Sequence, residues 1–294
     1  MPHQLNWREI CQMIPKRKAD AQKGDFGRLL CITGSRNMPG ACLLSTQAAL
    51  RGGAGLVTVA TAPENPMRLA AAAPEAMWLP LEADEAGFLR SSDQNRKTLE
   101  KQLSRANAVL LGCGLGVTEE TRRLVHWVLE QAVCPVVLDA DGLNCAVSCI
   151  ELSRRTGKDW ILTPHPGEMA RLTGRSIPQI QENRVETATQ FAAAYPVTLA
   201  LKGVGTLVAQ GSRLAQNPTG NPGMSRGGSG DVLAGLIAAF AAQGIPSWEA
   251  ACAGVYLHGL AGDAAAAALS QQAMLPRDLL VYLPQVLVKL EQER

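Results

Sequence analysis

The sequence predicts an α/β fold, with a mostly parallel central sheet, helices on both faces of that sheet and an antiparallel edge. Short runs rich in leucine and β-branched residues alternate with helix-length segments along most of the 294 residues. Continuous apolar runs of this length are typical of parallel strands that are buried on both faces. Near residue 206 the pattern changes to two short runs around a turn. Together these features favour one three-layer α/β/α core.

Six runs are predicted as buried parallel strands, because each is apolar and closes in glycine or a polar turn. Helix-length segments separate several of them, as a sheet covered on both faces requires. The predicted strands are 28–33, 55–61, 108–111, 135–139, 160–163 and 198–202, and the predicted helices between them include 41–51, 119–131 and 177–195.

The last third of the chain is organised differently. Residues 206–209 and 213–216 flank a turn suited to a hairpin, which predicts the antiparallel edge. A loop rich in proline and glycine, 217–230, leads into an apolar helix at about 231–243 and an alanine-rich helix at about 248–269. No linker, repeat or shift in composition divides the sequence. We therefore expect a single domain over 1–294, with residues 1 to about 21 as a lead-in segment.

The charge balance limits the kinds of partner. The chain carries 28 lysines and arginines against 26 aspartates and glutamates, a net charge of +2, without a long block of either sign. This balance removes the electrostatic case for a nucleic-acid or membrane-surface partner. The N-terminus lacks a continuous apolar segment, and the longest apolar stretch, 250–269, is interrupted by His258 and Asp263. We expect a soluble, cytoplasmic protein.

Eight cysteines are scattered along the chain, mostly inside apolar segments. They include no Cys-x-x-Cys pair, and no pair of histidines has the spacing of a zinc finger. Cys145 and Cys149 are four residues apart, but no histidine lies near them. Reduced, packed thiols are the better interpretation, and the cysteines predict no metal site.

The strongest local signal is the run Gly-Gly-Ser-Gly-Asp at 227–231, which delivers Asp231 to the start of an apolar helix. Free N–H groups in such a turn bind anions, and the helix dipole adds to this attraction. Asp231 has two interpretations. It caps the helix, which is the commoner role, or it stands beside a phosphate and accepts a proton from a hydroxyl group.

The usual nucleotide fingerprints are absent. No GxxxxGK[ST] motif occurs, and the near match to GxGxxG at Gly53 and Gly55 lacks its third glycine, so neither a P-loop nor a Rossmann enzyme is favoured. The loops that follow strands line the ligand crevice of an open α/β sheet. Glycines follow four of the predicted strands, at positions 34, at 112, 114 and 116, at 142, and at 203 and 205.

Two polar segments belong to the same predicted edge of the sheet. Residues 138–144 include Asp139 and Asp141, and residues 163–168 include His165 and Glu168. His165 lies between two prolines that fix its backbone, and both a ligand contact and a structural role are open for it. Glu168 is suited to holding the waters of a Mg²⁺ ion. The other histidines, His3, His126 and His258, have no such setting and are interpreted as surface or helix residues.

A series of motifs follows in order along the chain: KGDFG (23–27), GS (34–35), PGA (39–41), ALRGGAGLV (49–57), LDADGLN (138–144), TPHPGE (163–168), KGVGT (202–206) and TGNPGM (219–224). This series closely resembles the ADP-dependent NAD(P)H-hydrate dehydratase family, a branch of the ribokinase-like fold. The likeness covers roughly residues 22–290. The order and spacing of the motifs make it far more specific than any single glycine loop.

The resemblance implies repair of a damaged cofactor. (S)-NADHX or (S)-NADPHX, in which the nicotinamide ring is hydrated at C6, is dehydrated to NADH or NADPH while ADP becomes AMP and phosphate. ADP is then a co-substrate, and Mg²⁺ is the implied cofactor. Hydroxide is a poor leaving group, so phosphorylation of the C6 hydroxyl lets the ring nitrogen expel phosphate instead.

The resemblance also implies roles for individual residues. Asp231 faces the substrate hydroxyl, which promotes it from helix cap to base, with Asp139 and Asp141 as the next candidates. Two residues depart from the expected pattern. Arg226 stands where a small residue commonly precedes the glycine pair, and His165 replaces the asparagine of the wider superfamily. The hydrated dinucleotide is contacted by Ala41, Gly114 and His165, and the adenine nucleotide is held by Lys202, Gly203, Val204, Gly205, Thr206 and Gly230.

Partners follow from the same resemblance. Many bacterial relatives fuse this domain to an epimerase that interconverts the R and S hydrates, and 294 residues leave no room for one. Either a separate epimerase is the functional partner, or this chain is one piece of a larger protein, and the sequence is compatible with both. We also expect a homotetramer. Two other functions are compatible with the Asp231 turn: a kinase for a vitamin-precursor alcohol and a catalytically silent nucleotide-binding regulator. The dinucleotide-sized set of motifs disfavours the first, and the intact Gly-Ser-Gly-Asp sequence disfavours the second.

Overall fold

A central sheet organises the fold. We describe residues 2–156 and 159–293 from a computed structural model. Within these ranges ten strands form one sheet in the order β1-β10-β9-β8-β7-β6-β5-β2-β3-β4. The strands are β1 (His3–Gln4), β2 (Arg28–Ile32), β3 (Leu56–Thr61), β4 (Met77–Pro80), β5 (Ala108–Leu111), β6 (Val136–Leu138), β7 (Trp160–Leu162), β8 (Val197–Leu201), β9 (Leu207–Gln210) and β10 (Arg213–Gln216).

Helices connect most of the strands. In chain order they are α1 (Trp7–Met13), α2 (Pro39–Arg51), α3 (Asn65–Leu69), α4 (Asp93–Leu103), α5 (Glu119–Gln131), α6 (Asp141–Ala146), α7 (Leu152–Thr156), α8 (Pro166–Thr173), α9 (Ile177–Glu182), α10 (Arg184–Ala194), α11 (Ser229–Ala242), α12 (Ser247–Leu269) and α13 (Pro276–Glu293). Among the helices of the two described ranges, none is both long and apolar enough to cross a membrane.

The sheet is parallel from β4 to β8, and the predicted α/β fold class is confirmed. The hairpin of β9 and β10 lies where it was predicted, and β9 runs antiparallel to both β8 and β10. The border differs in one detail from the prediction. At the edge that carries the hairpin, the outermost strand is β1 from the lead-in segment, and it runs parallel to β10.

Each face of the sheet is covered by its own apolar core. Side chains alternate between the two faces along a strand. In β5, Ala108 and Leu110 therefore join the core under α1, α2 and α11–α13, whereas Val109 and Leu111 join the core under α4, α5 and α8–α10. Because both faces are buried, the parallel strands read as continuous apolar runs, and this is why the sequence revealed them.

One predicted helix is divided in the structure. The segment 177–195 forms α9 and α10, which are separated at Asn183, where φ is −126° and ψ is 43°. The break changes the direction of the chain, so that Arg184 begins a new helix. The other predicted helices before the hairpin, 41–51 and 119–131, correspond to α2 and α5.

Helix α11 carries the glycine-rich turn and packs closely on α2. A Cβ atom at Gly235 would lie 2.2 Å from the carbonyl oxygen of Ser45 and 2.9 Å from the Cβ of Ala48. The glycine therefore lets the two helix backbones approach each other. This contact fixes α11 against the core, with its first turn at the carboxyl end of the parallel strands.

Candidate active site

Polar groups from neighbouring strands meet at the carboxyl edge of the sheet. Asp139 follows β6, Thr163 follows β7 and Lys202 follows β8, and these three strands are adjacent. The first turn of α11, which carries Asp231, lies over the same edge. A Cβ atom at Gly230 would be 3.2 Å from Lys202 Nζ and 3.7 Å from Asp139 Oδ2. The predicted crevice is therefore present at this edge.

Lys202 and Asp139 form the central ion pair. Lys202 Nζ lies 2.6 Å from Asp139 Oδ1, which also accepts a hydrogen bond of 2.7 Å from Thr163 Oγ1. A second carboxylate oxygen, Glu168 Oε2, is 3.7 Å from the same ammonium. Burial alone would lower the pKa of Lys202, but the charges of Asp139 and Glu168 outweigh it and raise that pKa. The ammonium is therefore a permanent positive charge in the site.

His165 and Glu168 form a capping box at the start of α8. His165 is its N-cap, and its Nδ1 accepts hydrogen bonds from the backbone N–H groups of Gly167 (2.9 Å) and Glu168 (3.4 Å). In return, the His165 N–H donates to Glu168 Oε2 over 2.7 Å. Nδ1 is thus occupied by backbone N–H groups, and Nε2 lies 3.4 Å from Glu168 Oε1. Burial and the positive charges of Lys202 and Arg171 lower the pKa of His165, which keeps its half-exposed ring neutral.

Asp231 does not cap its helix. Helix α11 begins at Ser229 with Gly228 as its N-cap, at a φ of +105°, and no side chain makes a capping hydrogen bond there. The capping interpretation of Asp231 is therefore wrong. Burial and the neighbouring charge of Asp139 raise the pKa of Asp231 to about 7. One ligand atom each from Cys113, Asp139 and Asp231 lies within 4.8 Å of the others.

A pocket of about 730 Å³ opens between the loop after β8 and the first turn of α11. This volume lies within the range of ligand pockets. Its remaining walls come from the residues after β6, the start of α8, the loop 217–228 and α12. The pocket brings together nine of the eleven residues predicted for the site, namely His165, Glu168, Lys202, Gly203, Val204, Gly205, Thr206, Gly230 and Asp231.

The other two predicted residues, Ala41 and Gly114, lie next to each other but are not part of this pocket lining. A Cβ atom at Gly114 would be 2.8 Å from the Cβ of Ala41. Asp231 acts electrostatically on Cys42 and Cys113, the chain neighbours of this pair. The Sγ of Cys113, the chain neighbour of Gly114, lies within 4.8 Å of an Asp231 carboxylate oxygen, so the Ala41–Gly114 pair is close to Asp231.

The donor groups of the pocket fit a magnesium ion. Three carboxylates, those of Asp139, Glu168 and Asp231, line it, and Lys202 is the ammonium placed among them. The surplus of negative charge from oxygen ligands suits a hard divalent cation that also binds phosphate oxygens and retains several waters.

The sequence did not single out His258 as a site residue. It is a helix residue, which is one of the two interpretations given above, but it is buried in α12 and lines the pocket. Its Nε2 donates to the carbonyl oxygen of Ser229 over 3.0 Å, in the first turn of α11. Burial lowers the pKa of His258 to about 4, so the ring is neutral. The sequence carries no signal for this contact, because the residue pattern of α12 does not distinguish His258 from the other buried positions of the helix. Only the packing of α12 on α11 brings His258 to the pocket.

The loop 217–224 is held against α12 by side chains. Asp263 accepts hydrogen bonds of 2.9 Å from the Gly220 N–H and from Asn221 Nδ2. Thr219 Oγ1 donates to the carbonyl oxygen of Tyr256 over 2.8 Å. Arg226 lines the pocket and donates to the carbonyl oxygen of Gln272. Its guanidinium is thus placed by the segment that joins α12 to α13.

Comparison with known proteins identifies the family. A family model described as NAD(P)H-hydrate dehydratase matches residues 29–285. The ADP-dependent (S)-NAD(P)H-hydrate dehydratase of Xanthomonas campestris pv. campestris is 36% identical over 280 residues, which are 95% of this chain and 93% of that protein. The bifunctional NAD(P)H-hydrate repair enzyme Nnr of Moorella thermoacetica is 43% identical over 281 residues. This match covers 95% of the chain but 53% of the relative, so the chain spans about half of its length.

A solved structure agrees with the sequence comparison. The crystal structure of ADP/ATP-dependent NAD(P)H-hydrate dehydratase from Bacillus subtilis, co-crystallised with ATP and Mg²⁺, superposes with a TM-score of 0.81 at 31% identity. The superposition covers 97% of each chain. On the family match, these relatives and the ordered motifs around the pocket, the chain belongs to the NAD(P)H-hydrate dehydratase family.

Proposed function

We propose that the chain catalyses the ADP-dependent dehydration of (S)-NADHX and (S)-NADPHX to NADH and NADPH, with release of AMP and phosphate. The observation that carries this proposal is the position of Asp231. Asp231 lies in the first turn of α11 and lines the same pocket as Lys202, and its pKa is raised to about 7. A carboxylate with this pKa is suited to accept a proton near neutral pH.

The reaction has two stages. Asp231 accepts the proton of the C6 hydroxyl while the hydroxyl oxygen attacks the β-phosphorus of ADP, and the bond from that phosphorus to the bridging oxygen breaks, leaving AMP. The C6–O bond then breaks as the ring nitrogen donates its lone pair and phosphate departs. Loss of a proton from C5 restores the C5–C6 double bond. The first stage needs the most from the protein, because it requires positioning and charge stabilisation.

The nucleotide would lie along Lys202, Gly203, Val204, Gly205 and Thr206. The Lys202 ammonium would stabilise charge on the transferred phosphoryl group, and the amides at Gly230 would bind its oxygens at the start of α11. Mg²⁺ would be held by phosphate oxygens and, through water, by Glu168, and when bound it would neutralise the charge that develops on the phosphates.

The hydrated dinucleotide would approach from the other side of Asp231. Ala41 and Gly114 would contact it there, since both are small and lie next to the neighbours of Asp231. His165 lines the pocket, and its Nε2, which lies 3.4 Å from Glu168 Oε1, would orient the substrate from that side of Asp231. We assign His165 to positioning rather than to proton transfer.

The proposal extends to partners. The chain would act on the S hydrate, and a separate NAD(P)HX epimerase would convert the R hydrate to it. We further propose a homotetramer as the assembly of the chain, which light scattering of the purified protein would test. A mass of one or two chains would contradict it.

The decisive experiment measures NADH directly. The chain is mixed with (S)-NADHX, ADP and Mg²⁺, and the near-ultraviolet absorbance of NADH is followed while AMP and phosphate are quantified. We expect AMP, phosphate and NADH in equal amounts, and none of them from the R hydrate alone. No absorbance gain with ADP or ATP, together with phosphorylation of a vitamin-precursor alcohol, would overturn the proposal in favour of a kinase.

A further inference from the structure

Arg184 lies behind the loop that follows β8. It is the first residue of α10, and its Nη1 donates to the carbonyl oxygen of Lys202 over 3.2 Å. Its Nη2 donates to the carbonyl oxygens of Leu201 (3.1 Å) and Gly205 (3.5 Å). Among the ion pairs of the described ranges, none involves this guanidinium. The guanidinium therefore donates to backbone carbonyl groups at the end of β8 and in the loop that follows it.

The loop rests directly on the guanidinium. Gly203 has a φ of +142°, and a Cβ atom there would lie 2.1 Å from Arg184 Nη1. Any side chain at this position would push the loop away from the arginine. Arg184 does not line the pocket, whereas Lys202, Gly203 and Gly205 do. The loop thus separates the guanidinium from the ligand space.

Peptide geometry links the two sides of this loop. In a trans peptide the C=O of one residue and the N–H of the next point in opposite directions. Arg184 holds the C=O groups of Lys202 and Gly205, so the N–H groups of Gly203 and Thr206 point away from it, towards the pocket. Neither N–H donates to a backbone carbonyl in the part of the chain that the structure describes. Both are free to bind a ligand anion.

We propose that Arg184 is a positioning residue of the nucleotide site, which orients the amides of Gly203 and Thr206 towards the phosphates of a nucleoside diphosphate by holding the carbonyl groups behind them. This inference rests on the proposed function, which places the nucleotide on the same loop. A lysine would retain the charge, but its single ammonium lacks the planar fork that reaches several carbonyl groups at once.

The test compares ADP affinity in Arg184→Lys and the unmodified chain by titration calorimetry. Loss of oriented amides should weaken ADP binding roughly 10-fold or more, since hydrogen bonds to a charged group are strong and each factor of ten is a small free-energy change. The KM for ADP should rise in parallel, while the KM for the hydrated dinucleotide and the melting temperature stay close to those of the unmodified chain. A purely structural arginine would instead lower the melting temperature and change both KM values together.

Arg175→Lys is the matched control. Arg175 donates to Thr187 and Gln190 of α10, the helix that Arg184 begins, and it does not touch the loop. Its ADP affinity should equal that of the unmodified chain. If Arg184→Lys does not fold, Gly203→Ala provides the test by moving the loop off the guanidinium, with the same expected loss of ADP affinity.

The outcomes separate this inference from the proposed function. Unchanged ADP affinity in Arg184→Lys and in Gly203→Ala would overturn the positioning role while leaving the dehydratase activity intact. A chain that binds ADP but produces no NADH would overturn the proposed function, and the comparison of ADP affinities would still decide the role of Arg184. A chain with no affinity for ADP would overturn both.

Discussion

Asp139 and Asp231 occupy one buried corner of the site, but their surroundings differ. Asp139 has the Lys202 ammonium at 2.6 Å and the Thr163 hydroxyl at 2.7 Å. Among the ion pairs of residues 2–156 and 159–293 none involves Asp231, and burial together with the charge of Asp139 raises its pKa to about 7. Two carboxylates with different environments take different roles. Asp139 holds the lysine, and this difference supports the proposal that Asp231 is the group that accepts a proton.

Replacement of Asp231 by asparagine tests this assignment. Asp231→Asn should lower kcat roughly 10²–10⁴-fold, the usual contribution of a general base. ADP affinity should persist, because the amides of the glycine-rich turn are unchanged and one negative charge near the phosphates is removed. Turnover and calorimetric ADP affinity are measured on the same preparation, with the melting temperature as the control for folding. Turnover near that of the unmodified chain would move the base to another carboxylate at this edge, with Asp139 and Asp141 as the candidates.

The raised pKa of Asp231 also predicts a pH dependence. The base must be deprotonated, so kcat/KM should fall as pH decreases below about 7, by about tenfold per pH unit once the carboxyl is mostly protonated. Asp231→Asn has no such group, and its residual activity should be nearly independent of pH in this range. A profile of kcat/KM from pH 5 to 9 checks both statements. A level profile for the unmodified chain would be the contrary result.

His165 should affect the substrate side of the site. His165→Ala removes the ring Nε2 that we assign to substrate orientation, so the KM for the hydrated dinucleotide should rise, or kcat and kcat/KM should fall together through misplacement. ADP affinity should remain within about twofold, since the nucleotide loop does not depend on His165. Steady-state kinetics and calorimetry separate the two ligands. Equal losses for both would place His165 on the nucleotide side.

At the scale of elements, the packing of α11 on α2 determines where Asp231 stands. The two helix backbones meet at Gly235, where a Cβ atom would lie 2.2 Å from the Ser45 carbonyl oxygen. The first turn of α11 is tied from the other side by His258, through the Ser229 carbonyl. A shift of α11 would therefore move both the anion-binding turn and the carboxylate. Stability and activity should be linked through this helix.

Gly235→Ala should show that link. The added methyl group meets backbone on α2, which cannot move aside as a flexible side chain can, so we expect roughly 1–3 kcal/mol of destabilisation, as for overpacked cores. Gly40→Ala is the matched control in α2, because a Cβ atom there meets nothing within 4 Å. It should leave the free energy of unfolding unchanged or raise it slightly, since alanine favours helix more than glycine does. Urea unfolding measures both, and equal stability of the two variants would contradict the prediction.

The elements that the sequence predicted well are those whose signal is local. Buried parallel strands such as β5 are uninterrupted apolar runs, and the hairpin of β9 and β10 has a glycine in its turn. The break between α9 and α10 lacks such a signal, because Asn183 is neither glycine nor proline. Within the site, glycine loops and strand ends indicated the Asp231 turn and the loop 202–206. Arg184 and His258 were missed because carbonyl groups distant in sequence define their roles.

At the scale of the whole molecule, one sheet is shared by two cores. Trp7 and Trp248 pack with the core under α11–α13, and Trp127 and Trp160 with the core on the opposite face. The strands between them contribute alternate side chains to both cores. We therefore expect loss of the sheet to open both cores at once, and the single domain over 1–294 stays a prediction.

This arrangement predicts one cooperative unfolding transition. Tryptophan fluorescence, which reports on both faces, and far-ultraviolet circular dichroism should give the same denaturant midpoint. A Trp127→Phe/Trp160→Phe double variant keeps tryptophans on one face only, and a Trp7→Phe/Trp78→Phe/Trp248→Phe triple variant keeps them on the other. In each variant the fluorescence midpoint should equal the circular dichroism midpoint. Two separate midpoints, one for each face, would show that the chain contains more than one folding unit.

The two borders of the sheet are protected in different ways. At one border β1 pairs with β10 over two residues, His3 with Ala215 and Gln4 with Gln216, and the Leu5 N–H adds a bond to Gln216. At the other border β4 ends in Pro80, which has no N–H to offer. An unprotected strand edge recruits strands from other molecules and leads to aggregation. A tag or a proteolytic cut that displaces β1 would leave the edge of β10 unpaired. Changes at the N-terminus should therefore lower the concentration at which this protein stays in solution.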